Sequence, residues 1–362
     1  MPRGSCGTMT DLSFYKGRKV LVTGHSGFKG TWLSVILVNL GAEVIGYSSF
    51  KTEGERLFDI CGIEKQIVSI KGDVRDGQKL REVIEEYKPE IVFHLAAQPL
   101  VRAGYAEPVY TYETNVMGTV NVLEAIRQTD CVKSFVNVTT DKVYDNQEWE
   151  RGYVETDRMD GFDPYSNSKS CSELVTHSYK RSFFADGNVA ISTVRAGNVI
   201  GGGDFAVDRI VPDCVRAAMK GETILIRNPG SMRPYQHVLE PLYVYLMVAK
   251  EQYEDIRYAS NYNVGPDEAD CHNNGYLADA FVNAWGEGMK WESGNAGGPH
   301  EANILKLDCT KLKSTFGWKP LWNLNVAILK TVEWSKVYQA KGSIRECMDQ
   351  QIDEYLTKTG RE

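Results

Sequence analysis

The chain has 362 residues, of which 42% are hydrophobic and 25% charged, with a formal net charge of -7. That length supports one large or two modest domains with an ample core. The acidic balance leaves no footprint for nucleic acid, and no apolar run reaches the length of a membrane span.

Residues 1–17, opening MPRGSCGTMTD, read as a flexible tail with Met9 a candidate start. Lys19 to Thr23 follows as a strand, GHSGFKG as a turn and TWLSVILVNL as an apolar helix. EVIGYS, from Glu43 to Ser48, is the second strand and IVSIKGDV the third, with KLREVIEEY a helix behind it. EIVFHLAA, from Glu90, is a continuous apolar run, as expected of a parallel strand covered on both faces. A long helical pattern runs from about Val109 to Thr129. KSFVNVTTDKV is a strand that ends in hydroxyl and charged residues. Tyr165 then opens a helix, and VAISTVRAGNVI is a further strand. The alternation predicts an α/β protein: a Rossmann-type doubly wound parallel sheet over residues 18–200. Such sheets bind ligands beyond the carboxyl ends of their strands.

Past Gly201 the rhythm weakens. ILIRN, the segment around MRPYQHVLE, and ASNYNVG suggest short strands, and Trp318 and Trp322 flank Lys319 and Pro320 near the end of a small lobe. Residues 201–362 are expected to form mainly a smaller α/β substrate-binding lobe, with some segments returning to the main domain. Eight cysteines are scattered, at Cys6, Cys61, Cys131, Cys171, Cys214, Cys271, Cys309 and Cys347, without a CxxC spacing. With no signal peptide visible, they read as reduced thiols in a cytoplasmic protein. Cys271 and His272 are adjacent but lack further ligands at useful spacing, so no metal site is expected.

Gly24, Gly27 and Gly30 form GxxGxxG directly between a strand and a helix. The first permits the tight turn, the second lets backbone approach a pyrophosphate, and the third lets helix pack on strand. The helix N-terminus then favours phosphate charge. An acid at the end of the second strand would select NAD. Tyr47, Ser48, Ser49 and then Lys51 stand there instead, which a 2′-phosphate would also tolerate. Asp73, after the third strand, could touch the adenine amine or cap a turn.

Tyr165 and Lys169 lie four apart on a helix, so they share one face. An ammonium beside a phenol favours the phenolate, which could then act as a base. Thr140, Asp141 and Lys142 end the preceding strand. Thr140 can donate to a sugar hydroxyl, Asp141 can act as general acid, and Lys142 can hold charge or move a proton. The alternative is a strand-capping loop. Arg195, Asn198, Arg209, Arg233 and His237 follow, and arginine's planar fork suits phosphate oxygens. Arg195 has an alternative as a partner inside the fold, His237 reads as structural, and His94 is expected to pack near the cofactor.

At this point GHSGFKGTW, HLAAQPLVRAGY, TNVMGTVNVLEA, VTTDKVY, DPYSNSK, RAGNVIGGGDF and RPYQHVLEPL resemble the extended short-chain dehydrogenases. Within them they are most similar to the nucleotide-sugar 4,6-dehydratases, over most of residues 18–245. The resemblance implies NAD held by Gly24, Ser26, Gly27, Phe28, Lys29, Gly30, Ser48, Asp73, Val74, Leu95, Ala96, Ala97, Gln98, Asn115 and Thr139, together with Tyr165 and Lys169. It implies a nucleotide-sugar bound by Arg102, Thr140, Asn198, Arg209, Arg233 and His237. The implied chemistry is an internal redox dehydration: oxidation at C4 with Tyr165 as base, elimination of water across C5 and C6, and return of the hydride to C6. Dehydratases of this kind commonly carry Asp–Glu after the threonine. Lys142 replaces the glutamate here, as in the cytidine-linked branch, and becomes the candidate C5 base beside Asp141 as acid. The resemblance further implies a homodimer built on a four-helix interface, and a setting in 3,6-dideoxysugar synthesis for surface polysaccharide. The rival enzyme is a nucleotide-sugar 4-epimerase with the same Tyr165 and Lys169. A non-catalytic dinucleotide binder is the rival of a different class.

Overall fold

A computed structural model describes residues 10–51, 54–294 and 303–359. Residues 1–9 of the expected tail lie outside them. Residues 10–17 do not form a tail: Leu12–Tyr15 is a short 3-10 turn capped by Asp11, and Tyr15 is fully buried. Its hydroxyl donates to the Leu246 carbonyl at 2.7 Å. A buried ring with a satisfied hydroxyl is core, not a tether.

Six strands, β1 (Lys19–Thr23), β2 (Glu43–Ser48), β3 (Val68–Lys71), β4 (Ile91–His94), β5 (Ser134–Thr140) and β6 (Ala190–Ala196), form the sheet with a seventh, Asn261–Val264. The order is Asn261–Val264, β6, β5, β4, β1, β2, β3, and every neighbouring pair runs parallel. The seventh strand comes from the ASNYNVG segment and extends the sheet beyond β6. The winding reverses between β1 and β4, which opens a crevice at their carboxyl ends. The central strands are buried along their length because helices cover both faces.

On one face lie α1 (Phe28–Asn39) and the helix Leu239–Glu254. Both are apolar nearly all round, since they are sandwiched between the sheet and the last helices. The opposite face carries Gly77–Tyr87, Gly118–Arg127 and Pro164–Phe183. The expected Val109–Thr129 helix is interrupted by one π turn, Glu113–Met117, between Pro108–Tyr112 and Gly118–Arg127. A third core, among Ile210–Lys220, Asn274–Trp285 and Leu324–Gln339, builds the smaller lobe. Trp318 and Trp322, expected in that lobe, instead pack into the core shared with α1 and the sheet. The chain returns there after the lobe, and Glu240 fixes the return.

Glu240 is fully buried and accepts from the Leu321 and Trp322 amides at 2.9 and 2.7 Å and from the Tyr355 hydroxyl at 2.7 Å. Burial pushes its carboxyl up to about 7. The unfolded chain releases that proton near 4.5, so between those values the folded state holds more protons and stability falls as pH rises. Glu240→Gln is therefore expected to remove this decline. Urea melts of both proteins at pH 5 and pH 7.5 should show a smaller pH-dependent loss in the variant.

Candidate active site

Strand β1 delivers the chain into Gly24 at φ +75°, a left-handed turn that favours glycine. A Cβ on Gly24 would stand 2.8 Å from the Ala96 amide nitrogen, and one on Gly30 only 2.1 Å from the Gly24 carbonyl oxygen. These clashes keep β1, β4 and α1 in direct backbone contact. Gly27 is exposed, and the N-terminus of α1 that it precedes has no side-chain cap. Helix amides left open behind a glycine turn form an anion cradle, so these residues fit a dinucleotide pyrophosphate. Leu95, Ala96 and Ala97 border the turn half-buried.

At the β2 end, Ser48 Oγ and Ser26 Oγ are hydrogen-bonded at 2.7 Å, and the neighbouring position carries no carboxylate. Asp73 is occupied by the Arg75 guanidinium at 2.9 and 3.1 Å and accepts its amide at 3.0 Å. Val74 is buried. Gln98 serves the loop geometry: its amide nitrogen side donates to Thr111 and its oxygen accepts the Leu100 amide. Asn115, inside the π turn, accepts from the Gln98 amide at 2.8 Å and donates to the Gln98 carbonyl and to Ser168 Oγ. It thus joins the loop after β4 to the Tyr165 helix. His94 is buried beneath, between Thr23 and Thr119.

The helix Pro164–Phe183 begins with Asp163, whose carboxylate accepts the Tyr165 and Ser166 amides at 3.0 and 3.1 Å, and with proline in the first turn. Those caps place Tyr165 at the mouth and Lys169 one turn inside. Lys169 is buried, its Nζ donates to the Val138 carbonyl at 2.8 Å, and burial lowers it to about 8 against the pull of Glu173. Tyr165 departs from expectation. Burial raises its phenol to about 12, outweighing a Thr140 hydrogen bond and the charge of Arg209. Lys169 points one of its three N–H donors at a backbone carbonyl, and burial is the larger effect on the phenol here. Lys29 is half-buried and lowered to about 7 by burial and by Lys169, Arg209 and Lys142.

After β5 the chain turns through Asp141–Val143, and Ser170 of the helix donates to the Val143 carbonyl at 2.7 Å. Asp141 is fully buried. Its Oδ1 accepts from Thr140 Oγ1 at 2.9 Å and from Lys142 Nζ at 3.0 Å. Among the described residues its Oδ2 has no hydrogen-bond partner. Lys142 Nζ also donates to Asn198 Oδ1 at 3.0 Å.

A cleft of about 860 Å³ brings together Phe28, Lys29, Arg102, Thr139, Thr140, Lys142, Tyr165, Asn198, Arg209 and Arg233. Two of its arginines have protein counterions: Arg209 pairs with Asp204 at 3.0 Å and Arg102 with Asp208 at 3.3 Å. Arg233 is buried and donates to the Met232 carbonyl at 2.9 Å. His237 does not belong to the cleft. It is fully buried against the Trp32 and Trp322 rings, and burial lowers it to about 3. A neutral imidazole walled by indoles cannot meet a nucleotide-sugar, so the expected substrate contact is corrected to a packing role.

Arg195 pairs inside the fold with Glu173, and both are fully buried. Glu173 accepts from Arg195 Nε and Nη2 at 3.0 and 2.9 Å, from Thr139 Oγ1 at 2.5 Å and from Thr193 Oγ1 at 2.7 Å. Burial opposes its charge, but Arg195 and the hydroxyls hold its carboxyl below the ordinary value. Glu173 was missed in the sequence, although it continues the four-residue spacing of Tyr165 and Lys169.

Comparison with known proteins gives a consistent result. A family model described as GDP-mannose 4,6 dehydratase matches residues 21–331. A CDP-glucose 4,6-dehydratase of Salmonella typhimurium is 45% identical over 359 residues, covering 98% of this chain and 100% of the relative. The fold is similar to that of a Bacillus anthracis dTDP-glucose 4,6-dehydratase solved in complex with NAD, at TM-score 0.74 and 21% identity, covering 92% and 100% of the two chains. A Thermus thermophilus UDP-glucose 4-epimerase in complex with NAD is similar at TM-score 0.76 and 25% identity, covering 88% and 99%.

The buried ion pair yields a stability test. Arg195→Met leaves Glu173 charged without its partner and is expected to cost about 3–5 kcal/mol. Combining it with Glu173→Gln should recover most of that loss, as read from denaturant midpoints.

Proposed function

The chain belongs to the GDP-mannose 4,6-dehydratase family, and from its 45% identity to a CDP-glucose 4,6-dehydratase we propose that it converts CDP-D-glucose to CDP-4-keto-6-deoxy-D-glucose and water. The enzyme is an NAD-dependent nucleotide-sugar 4,6-dehydratase, a lyase. The observation that carries dehydration over plain epimerisation is the contact of Asp141 and Lys142 at 3.0 Å in the corner that also holds Thr140 and Tyr165. Epimerisation at C4 has no use for an acid and a base beyond the tyrosine.

The glycine turn and the open end of α1 hold the dinucleotide, with Ser26 and Ser48 at its adenosine end. NAD, when bound, accepts the hydride from C4 and returns it at C6. Tyr165 takes the proton of the 4-hydroxyl, and Thr140, its hydroxyl turning from Asp141 to the sugar, donates to the oxygen as its charge develops. A phenol at about 12 needs this help and that of Arg209 to lose its proton. Once C4 is a carbonyl, the C5 proton is acidic because its anion delocalises into the ketone. Lys142, starting as the neutral amine, removes that proton, and Asp141, starting protonated, protonates the departing C6 oxygen, which leaves an ammonium beside a carboxylate. Lys142 then returns its proton to C5, and the proton that Tyr165 took from the 4-hydroxyl makes good, by way of solvent, the one Asp141 gave to the departing water. Arg102, Arg209 and Arg233 bind the diphosphate. The low solvent access at Thr140, Asp141 and Lys169 keeps water from intercepting the intermediates.

The working unit is proposed as a homodimer. Val109, Met117, Leu174 and Phe183 are exposed on Pro108–Arg127 and Pro164–Phe183, the two helices a four-helix interface would use. No helix among the described residues is long and apolar enough to cross a membrane. A cytoplasmic enzyme supplying 6-deoxysugars for surface polysaccharide fits the free thiols and the substrate class.

Four outcomes are expected. Incubation with CDP-, dTDP-, UDP- and GDP-glucose should give a product lighter by one water with the cytidine sugar alone; unchanged mass for all four would refute dehydration. Tyr165→Phe should lower kcat by about 10²–10⁴. Lys142→Met should abolish solvent deuterium at C5 while reduced nicotinamide still forms. Native mass measurement at micromolar protein should show a dimer, and monomer alone would reject that assembly.

A further inference from the structure

We propose that Asn198 is a positioning residue for Lys142, aiming its nitrogen into the cleft for proton transfer at C5, in addition to any contact it makes with the nucleotide-sugar. The proposal rests on Lys142 being the C5 base, as proposed above.

The geometry starts with a tetrahedral nitrogen. Lys142 Nζ has its stem in one direction and donates to two fixed acceptors, Asp141 Oδ1 and Asn198 Oδ1, each at 3.0 Å. One direction remains. In the ammonium it holds the third proton, and in the neutral amine it holds the lone pair. Two anchors therefore define where the proton leaves and where it is taken up. With Asp141 alone the amine would swing about a single hydrogen bond, and its lone pair would sample a cone.

Both anchors are rigid. Asp141 is fully buried in the turn after β5. Asn198 opens the short strand Asn198–Ile200, which pairs parallel with Tyr235–His237. The residue before it, Gly197, lies so close to that neighbour that a Cβ would stand 2.7 Å from the Pro234 carbonyl oxygen. The backbone of Asn198 is thus clamped against the smaller lobe, while Asp141 belongs to the main sheet. Lys142 is held by one group from each side of the cleft.

The chemical identity of the second anchor matters as much as its place. An amide oxygen accepts a hydrogen bond without adding a negative charge. A second carboxylate would strengthen the hold of the amine on its proton. The other charged groups at this corner are Lys29 from α1, Lys169 from the Tyr165 helix and Arg209 from the segment before Ile210–Lys220. A neutral acceptor adds no charge to this corner and fixes direction only.

The test compares wild type, Asn198→Ala, Asn198→Asp and Lys142→Met with CDP-glucose in deuterated water. Readouts are C5 deuterium incorporation, reduced nicotinamide, KM and the pH profile of kcat. Asn198→Ala is expected to slow C5 exchange and dehydration about tenfold or more, with reduced nicotinamide still formed and KM changed less than twofold. Asn198→Asp, which keeps shape and folds if the alanine variant does not, should be slow at pH 7 and recover as pH rises, its acid limb moving up by about one pH unit. If both variants raise KM and leave C5 exchange at saturation unchanged, Asn198 is a substrate anchor only and the proposal fails. Undiminished C5 exchange in Lys142→Met would instead remove the base assignment itself, a separate failure.

Discussion

The Glu173 carboxylate accepts from Arg195, Thr139 and Thr193 where no solvent reaches, and that cluster ties the Tyr165 helix to β5 and β6. The reacting groups depend on this tie. Thr139 stands next to Thr140, and Glu173 is one helical turn beyond Lys169. Sliding the helix along the sheet would strip an uncompensated charge of its donors, which the interior penalises far more than the loss of an exposed pair. The positions of Thr140, Tyr165 and Lys169 are therefore one decision of the fold. Arg195 extends the cluster to Tyr144 and the Glu155 carbonyl, linking it to the loop after the catalytic turn.

The two halves of the site are built on different principles. The dinucleotide end relies on backbone: close-packed glycines, an open helix terminus and few side-chain charges. The sugar end relies on side chains, and its cations already have carboxylate partners, Arg209 with Asp204 and Arg102 with Asp208. In the proposed binding mode a diphosphate competes with those carboxylates: the Arg102–Asp208 pair is exposed and weak, whereas Asp204, its side chain buried, holds Arg209 more firmly. Burial, more than charge, is why neither lysine of the inner corner, Lys29 or Lys169, keeps the proton affinity of a solvated amine.

Much of this was legible in the sequence because it is local. Strand periods, the GxxGxxG turn, the Tyr165–Lys169 spacing and the Thr140–Asp141–Lys142 run all declare themselves within a few residues. What was hidden depends on distant partners. Nothing near His237 says that Trp32 and Trp322 enclose it. Helical spacing places Lys169 on the same face as Tyr165 but does not show how deeply the phenol is enclosed, and burial is what raises it. Trp318 and Trp322 looked like part of the small lobe because they follow it in sequence, whereas the chain had already returned to the main core. The contact of Asn198 with Lys142 spans 56 positions and only the paired short strands bring it about.

The π turn at Glu113–Met117 carries one more consequence. A wider turn accommodates an additional residue, so the helix beyond it is rotated by about 100° relative to an uninterrupted α-helix. Within the turn Asn115 looks inward, toward Gln98 and Ser168, while Met117 two positions later looks out. The helix beyond the turn, Gly118–Arg127, buries Val122, Leu123 and Ile126 in the core of the sheet face it covers, so a single extra residue sets the phase at which the helix meets the sheet.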